Sequence, residues 1–205
     1  MNAFPKTARA LVVKFALLVG AVASAALAGS QPARAVSIQE VTTEKGIKVW
    51  LVEDHKLPLI ALHFAFRGGV EQDPAEKQGL ANLTMELLTE GAGPYDADAF
   101  QQALANASIA LGFEASRDAL LGSLKTLKQD REKAFALLRL ALTRPRLEKA
   151  AVERLRGQQL AQLRVQFGNP DWQARYGLFQ HLFGAHPYGE RRLGTVETLA
   201  HITRE

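Results

Sequence analysis

Residues 59–88 read LIALHFAFRGGVEQDPAEKQGLANLTMELL, and this stretch decides the fold. Leu59 to Phe66 is an apolar run of strand length, which Gly68-Gly69 and Asp73-Pro74 then break. From Leu80 the period changes: Leu80, Leu83, Leu87 and Leu88 recur at helical spacing until Gly91 and Gly93-Pro94 stop the helix. Before this stretch lie two further strand signals, one starting at Val36-Ser37-Ile38 and one in which Ile47, Val49 and Leu51 alternate. Glu44-Lys45-Gly46 and His55-Lys56-Leu57-Pro58 punctuate them as turns, so an antiparallel meander is expected. After it, Asp96 to Ala107 reads as a helix with Phe100, Ala103 and Leu104 on its apolar face.

The two-residue period returns between Ile109 and Leu127, with Arg117-Asp118 where a hairpin turn belongs. Three helices follow. Asp130 is placed to cap the first, which Thr143-Arg144-Pro145 ends; the second runs from Glu148 to Phe167 and stops at Gly168-Asn169-Pro170; the third spans Trp172 to Phe183. The expectation is one α+β domain over residues 36–205: an antiparallel sheet of five to six strands with helices packed on one face.

The chain has 205 residues, 25 Lys+Arg, 21 Asp+Glu and no Cys. Its basic excess is local, because Lys6, Arg9, Lys14 and Arg34 stand among residues 1–35 without one acidic residue. Without them the balance is 21 against 21, and no basic stripe is left for a nucleic acid. The lack of Cys excludes a disulfide framework, a thiolate metal site and a thiol nucleophile. Lys6, Arg9 and Lys14 precede an apolar run from Phe15 to Gly29, and the stretch closes on Ala33-Arg34-Ala35. That is the order of a secretory signal peptide, with cleavage expected between Ala35 and Val36 and a periplasmic or secreted product free of the membrane. A retained anchor is the other reading, but the run falls short of the ~20 residues a bilayer needs.

Simple catalytic constellations are missing. Of the five His residues, His181 and His186 are five apart, which turns the second roughly 140° away on a helix. His55, His63 and His201 stand apart, so structural or solvated roles are expected for all five. No Gly-x-Ser-x-Gly elbow occurs, and Ser108, Ser116 and Ser123 fall in strands without a designated base. Gly68-Gly69 is too short for a phosphate loop. The cations between Arg131 and Arg164 alternate with Glu132, Glu148 and Glu153, the pattern of a solvated, ion-paired helix face.

The order of elements nevertheless resembles a known family. Asp54-His55-Lys56-Leu57-Pro58-Leu59, Gly68-Gly69-Val70-Glu71, Gly79-Leu80-Ala81, Gly91, Ser116-Arg117-Asp118, Pro145, His186-Pro187-Tyr188-Gly189 and Gly194-Thr195 occur in the order and spacing of the amino-terminal half-domain of the pitrilysin, or insulinase-type, zinc peptidases. The likeness covers residues 36–205. In active members Gly-Leu-Ala is followed by the inverted zinc motif His-x-x-Glu-His, whose i, i+3 and i+4 positions share one helix face. In this register the first ligand position is Asn82, the general-base position Met85 and the second ligand position Glu86. The family's third ligand, a Glu on a later helix, falls at Ala161, with Gln162 beside it. An Asn that helps active halves hold substrate is replaced by Gly112.

Met85 is a thioether and cannot take a proton from water. Asn82 and Glu86 offer two oxygens on one face, which without imidazole do not make a zinc site of the known type. The resemblance therefore implies no catalytic and no metal-binding residue in this chain. It implies a non-catalytic pseudo-peptidase subunit of a secreted or periplasmic two-chain zinc metallopeptidase, helping to form the substrate chamber. The zinc would sit in a catalytic partner with the intact motif, and the substrate would be a peptide or unfolded protein. Two alternatives are a stand-alone peptide-binding or scaffold protein that adds a peptide to a sheet edge and an active metalloendopeptidase with relocated ligands. Family members usually carry a second, similar half-domain, so the sequence is expected to be a fragment of a longer two-half chain.

Overall fold

The computed structural model describes residues 37–204. The expected signal peptide and its cleavage position, Ala35-Val36, lie outside the described residues. Two compact units divide the chain, one ending at His55 and the other beginning at Lys56.

In the first unit, β1 (Ile38–Thr42) and β2 (Lys48–Val52) form an antiparallel hairpin in which Thr42 faces Lys48 and Ile38 faces Val52. Gly46 takes the left-handed position of the turn (φ 79°), and its N–H donates to the Thr43 carbonyl at 2.9 Å. Lys48 and Glu40 pair across the strands at 3.1 Å, an exposed contact of little energetic weight.

In the second unit, β3 (Leu59–Arg67), β4 (Ala110–Ala115) and β5 (Ala119–Leu127) form an antiparallel sheet in the order β3-β5-β4. Leu59 faces Leu127 and Arg67 faces Ala119, while Ala115 faces Leu120 across a tight hairpin at Arg117-Asp118. Gly122 in β5 is required by close approach, since a Cβ there would stand 2.1 Å from the Phe64 ring. The helices are α1 (Leu80–Leu87), α2 (Ala97–Asn106), α3 (Arg131–Thr143), α4 (Lys149–Phe167), α5 (Pro170–Phe183) and α6 (Val196–Ala200).

Two cores hold this unit. In one, Phe100 and Leu104 of α2 and Ala134, Leu137, Leu138 and Ala141 of α3 pack with Leu124, against Leu62, Phe64, Leu111 and Phe113 of the sheet. In the other, Leu83 and Leu87 of α1, Val152, Leu155 and Leu163 of α4 and Leu199 of α6 pack together without a strand residue.

This corrects the expected architecture. Among the described residues, five strands form a two-stranded and a three-stranded sheet rather than one sheet of five to six. Period-two alternation identifies a strand but not the long-range partner that completes its ladder. The helices, too, are divided: α2 and α3 supply the helical residues of the core that contains the sheet, whereas α1, α4 and α6 bury their apolar stripes on one another. Asp130 stands at the start of α3, but its side chain makes no capping bond because a 3₁₀ turn, Lys128–Asp130, runs straight into the helix. The third late helix begins earlier than expected, since Pro170 fits the first turn and the Asn169 side chain accepts from the N–H groups of Asp171 and Trp172.

Candidate functional site

The segment before α1 sets the helix in place. Gly79 adopts φ 93°, and a Cβ there would lie 2.6 Å from the Leu193 carbonyl oxygen, so only glycine fits. Asp73, six residues upstream, caps the helix by accepting from Gly79 N–H and Ala81 N–H, both at 2.9 Å. Burial pushes its carboxyl above the usual range, while these backbone donors oppose the rise. From α4, Gln159 Nε2 donates to the Leu193 carbonyl at 2.9 Å and to the Gly79 carbonyl at 3.3 Å. The start of α1, the middle of α4 and the loop at Leu193 therefore share one buried amide.

On α1, Asn82 is buried, and its Nδ2 donates to Glu86 Oε1 at 2.9 Å one turn later. Burial raises the Glu86 carboxyl above its usual 4.5, and the bond from Asn82 partly offsets this. Asn82 and Glu86 line one cleft with Gln162, and Met85 and Glu86 line a second with Gly112, Gln159 and Gln162. Gln162 is exposed, beside the buried stripe of Leu155, Gln159 and Leu163 on α4, and lines both clefts. Ala161 stands two residues from Gln159 and Leu163, roughly 200° round the helix from each. It is exposed and lines neither cleft. The structure thus brings Asn82, Met85, Glu86 and Gln162 together and leaves Ala161 outside.

This donor set does not fit a zinc ion. It holds two amides, one carboxylate and a thioether, with no imidazole to anchor the metal and no second carboxylate to hold its water. Among the described residues no three His, Asp or Glu side chains stand close enough to hold a metal. The His residues are dispersed: His55 faces Glu53 at 3.5 Å, His63 lies in β3 opposite Ser123, and His186 Nδ1 accepts from Tyr188 N–H at 3.2 Å. His181 lies in the last turn of α5, which ends before Gly184, and His201 follows α6.

Several functional positions escaped the sequence reading. Gln159 carried a signal, since it interrupts the apolar stripe between Leu155 and Leu163 at i±4. Asp73 gave only a turn signal, because its cap spans a 3₁₀ turn that has no sequence period. Arg191, lodged among the rings of Phe167, Trp172 and Tyr176, had no local signal at all.

Residues 48–195 match the family described as Insulinase (Peptidase family M16). The chain is 33% identical over 170 residues to a protein of Helicobacter pylori (strain ATCC 700392 / 26695) named non-peptidase homolog YmxG, covering 83% of this chain and 39% of that protein. The crystal structure of a peptidase M16 inactive domain from Pseudomonas fluorescens is similar at a TM-score of 0.77 and 30% identity, over 82% of this chain and 41% of that one. Pitrilysin shares the fold at a TM-score of 0.68 and 22% identity, over 83% of this chain and 18% of its own. The chain spans about two fifths of the length of the first two relatives. With this match and the fold in agreement, the chain belongs to the insulinase family, peptidase family M16, and is similar to members named as non-peptidase or inactive.

Proposed function

We propose that this chain is the non-catalytic, pseudo-peptidase subunit of a two-chain zinc metallopeptidase. It supplies wall and substrate contacts to a chamber, and a catalytic partner with the intact His-x-x-Glu-His motif supplies the zinc. The observation that carries this reading is the Asn82–Glu86 hydrogen bond. Two positions that would grip a metal bind each other, and the base position between them holds Met85. The likeness to relatives named as non-peptidase or inactive supports it.

The peptide or unfolded protein would lie in the clefts where Asn82, Glu86 and Gln162 meet. Residues 1–35 support export to the periplasm or exterior, and among the described residues no helix is long and apolar enough to cross a membrane. Amino-terminal sequencing of exported protein is expected to start at Val36.

A stand-alone peptide-binding or scaffold role is the second reading. It is favoured by β4, an edge strand whose Leu111 and Gly112 line an open cleft. Affinity purification of the exported chain from its native host separates the two. The subunit reading expects a second chain with intact His-x-x-Glu-His and chelator-sensitive peptide hydrolysis in the same fraction. Purification of this chain alone, without hydrolysis, would support the scaffold.

A further inference from the structure

A cleft of about 630 Å³ opens between α1, α4, α5 and the loop at Glu190–Leu193, and its lining is rich in arginine and aromatic rings. Arg191 Cζ lies 4.7 Å from the Phe167 centroid, 4.5 Å from Tyr176 and 5.9 Å from Trp172. Its Nε is buried and has no hydrogen-bond partner among the described residues. Arg117 Cζ lies 4.7 Å from the Phe179 ring, and its Nη1 donates to the Tyr188 carbonyl at 2.7 Å. Arg175 lines the same cleft from an exposed position on α5.

Among the described residues, none of these three guanidinium groups has a carboxylate within 4.0 Å. The cleft's fourth arginine, Arg192, faces Glu114 at 3.9 Å. Arg175 is solvated, and Arg191 feels the carboxylate of Glu197 without pairing with it. Rings stabilise Arg117 and Arg191 in part, and the three guanidinium groups keep N–H donors suited to an oxyanion.

We propose that this cleft binds a carboxylate of a peptide, from an acidic side chain or a free C-terminus, with an apolar neighbour against the aromatic wall. This rests on the reading that the chain contacts peptide. Four arginines stand in the lining against Glu86, Glu114 and Glu190, which favours an anionic ligand group over a cationic one. Gln162 and Gln166 bring amides to the same lining, which suit a peptide backbone.

The test uses the full exported chain and fluorescence anisotropy with labelled peptides Gly-Ala-Phe-X-Ala. One carries Glu with a C-terminal amide, one Gln with a free carboxylate, and one Gln with an amide. At least one acid is expected to bind ~10-fold tighter than the neutral peptide, with the preference shrinking as salt rises. Which acid wins identifies the source of the carboxylate.

Arg175→Gln and Arg191→Gln should each remove most of that preference, while Arg144→Gln, outside the cleft, should leave it intact. Arg175 is exposed, so its variant remains informative if Arg191→Gln does not fold. Equal binding of all three peptides, binding of none, or a preference that survives Arg175→Gln would overturn the proposal. The non-catalytic reading stands or falls separately, on zinc content.

Discussion

Replacing Gln159 with Leu tests how the site is held. The side chain is 1% exposed, and its amide donates to the carbonyls of Gly79 and Leu193. Leu has a similar volume, so little cavity follows. The Leu193 carbonyl loses its donor, at about 1–3 kcal/mol, while the Gly79 carbonyl still accepts from Leu83 N–H at 3.0 Å. Against this, Gln159 Oε1 is itself buried without a partner, and its removal returns about 1–3 kcal/mol. The two nearly cancel, so the urea midpoint by circular dichroism should stay close to that of wild type, with an unchanged slope. Gln159→Glu keeps the shape but turns the donor into a carboxylate facing two carbonyl oxygens. It should cost about 3–5 kcal/mol at pH 7 and recover as acid restores an O–H donor. Wild-type stability of Gln159→Glu at pH 7 would refute the reasoning, because the amide donor that joins α1, α4 and Leu193 would then carry no weight.

Three further perturbations follow from the same geometry. Folding raises the Glu86 carboxyl above 4.5, so the folded state is penalised above that raised value and not below 4.5; Glu86→Gln, which can still accept from Asn82, should be more stable than wild type at pH 7 and equal to it at acid pH by thermal melts. Gly122→Val drives a side chain into the Phe64 ring and should lower stability by about 1–3 kcal/mol in calorimetry. Adding Gln162→Glu to Asn82→His, Met85→Glu and Glu86→His should tighten zinc binding by ~10-fold or more in titration calorimetry, whereas adding Ala161→Glu should contribute nothing, because Ala161 faces away from the clefts.

Periodic features were legible in the sequence. The leucines of α1, the alternation in β5 and the stops at Gly168-Asn169-Pro170 and Gly184 each leave a local mark, and the structure follows them. Strand pairing was not, because the choice between one sheet and two depends on partners far apart in sequence. The site was half legible. Asn82, Met85 and Glu86 share a helix with the Gly79 that opens it, and a motif register places them without tertiary information. The partner position on α4 depends on helix rotation, where one residue is 100°; Gln162 and Ala161 therefore look alike in sequence and stand apart in space. The arginine cleft joins Arg117, Arg175 and Arg191 from a β-turn, a helix and a loop, and no sequence period connects them.

The most direct test of the non-catalytic assignment is the zinc content of the purified chain after dialysis, measured by elemental analysis. The donor set of Asn82, Met85, Glu86 and Gln162 predicts far less than one zinc per chain, unchanged by Glu86→Ala. One zinc per chain, lost on Glu86→Ala, would contradict it.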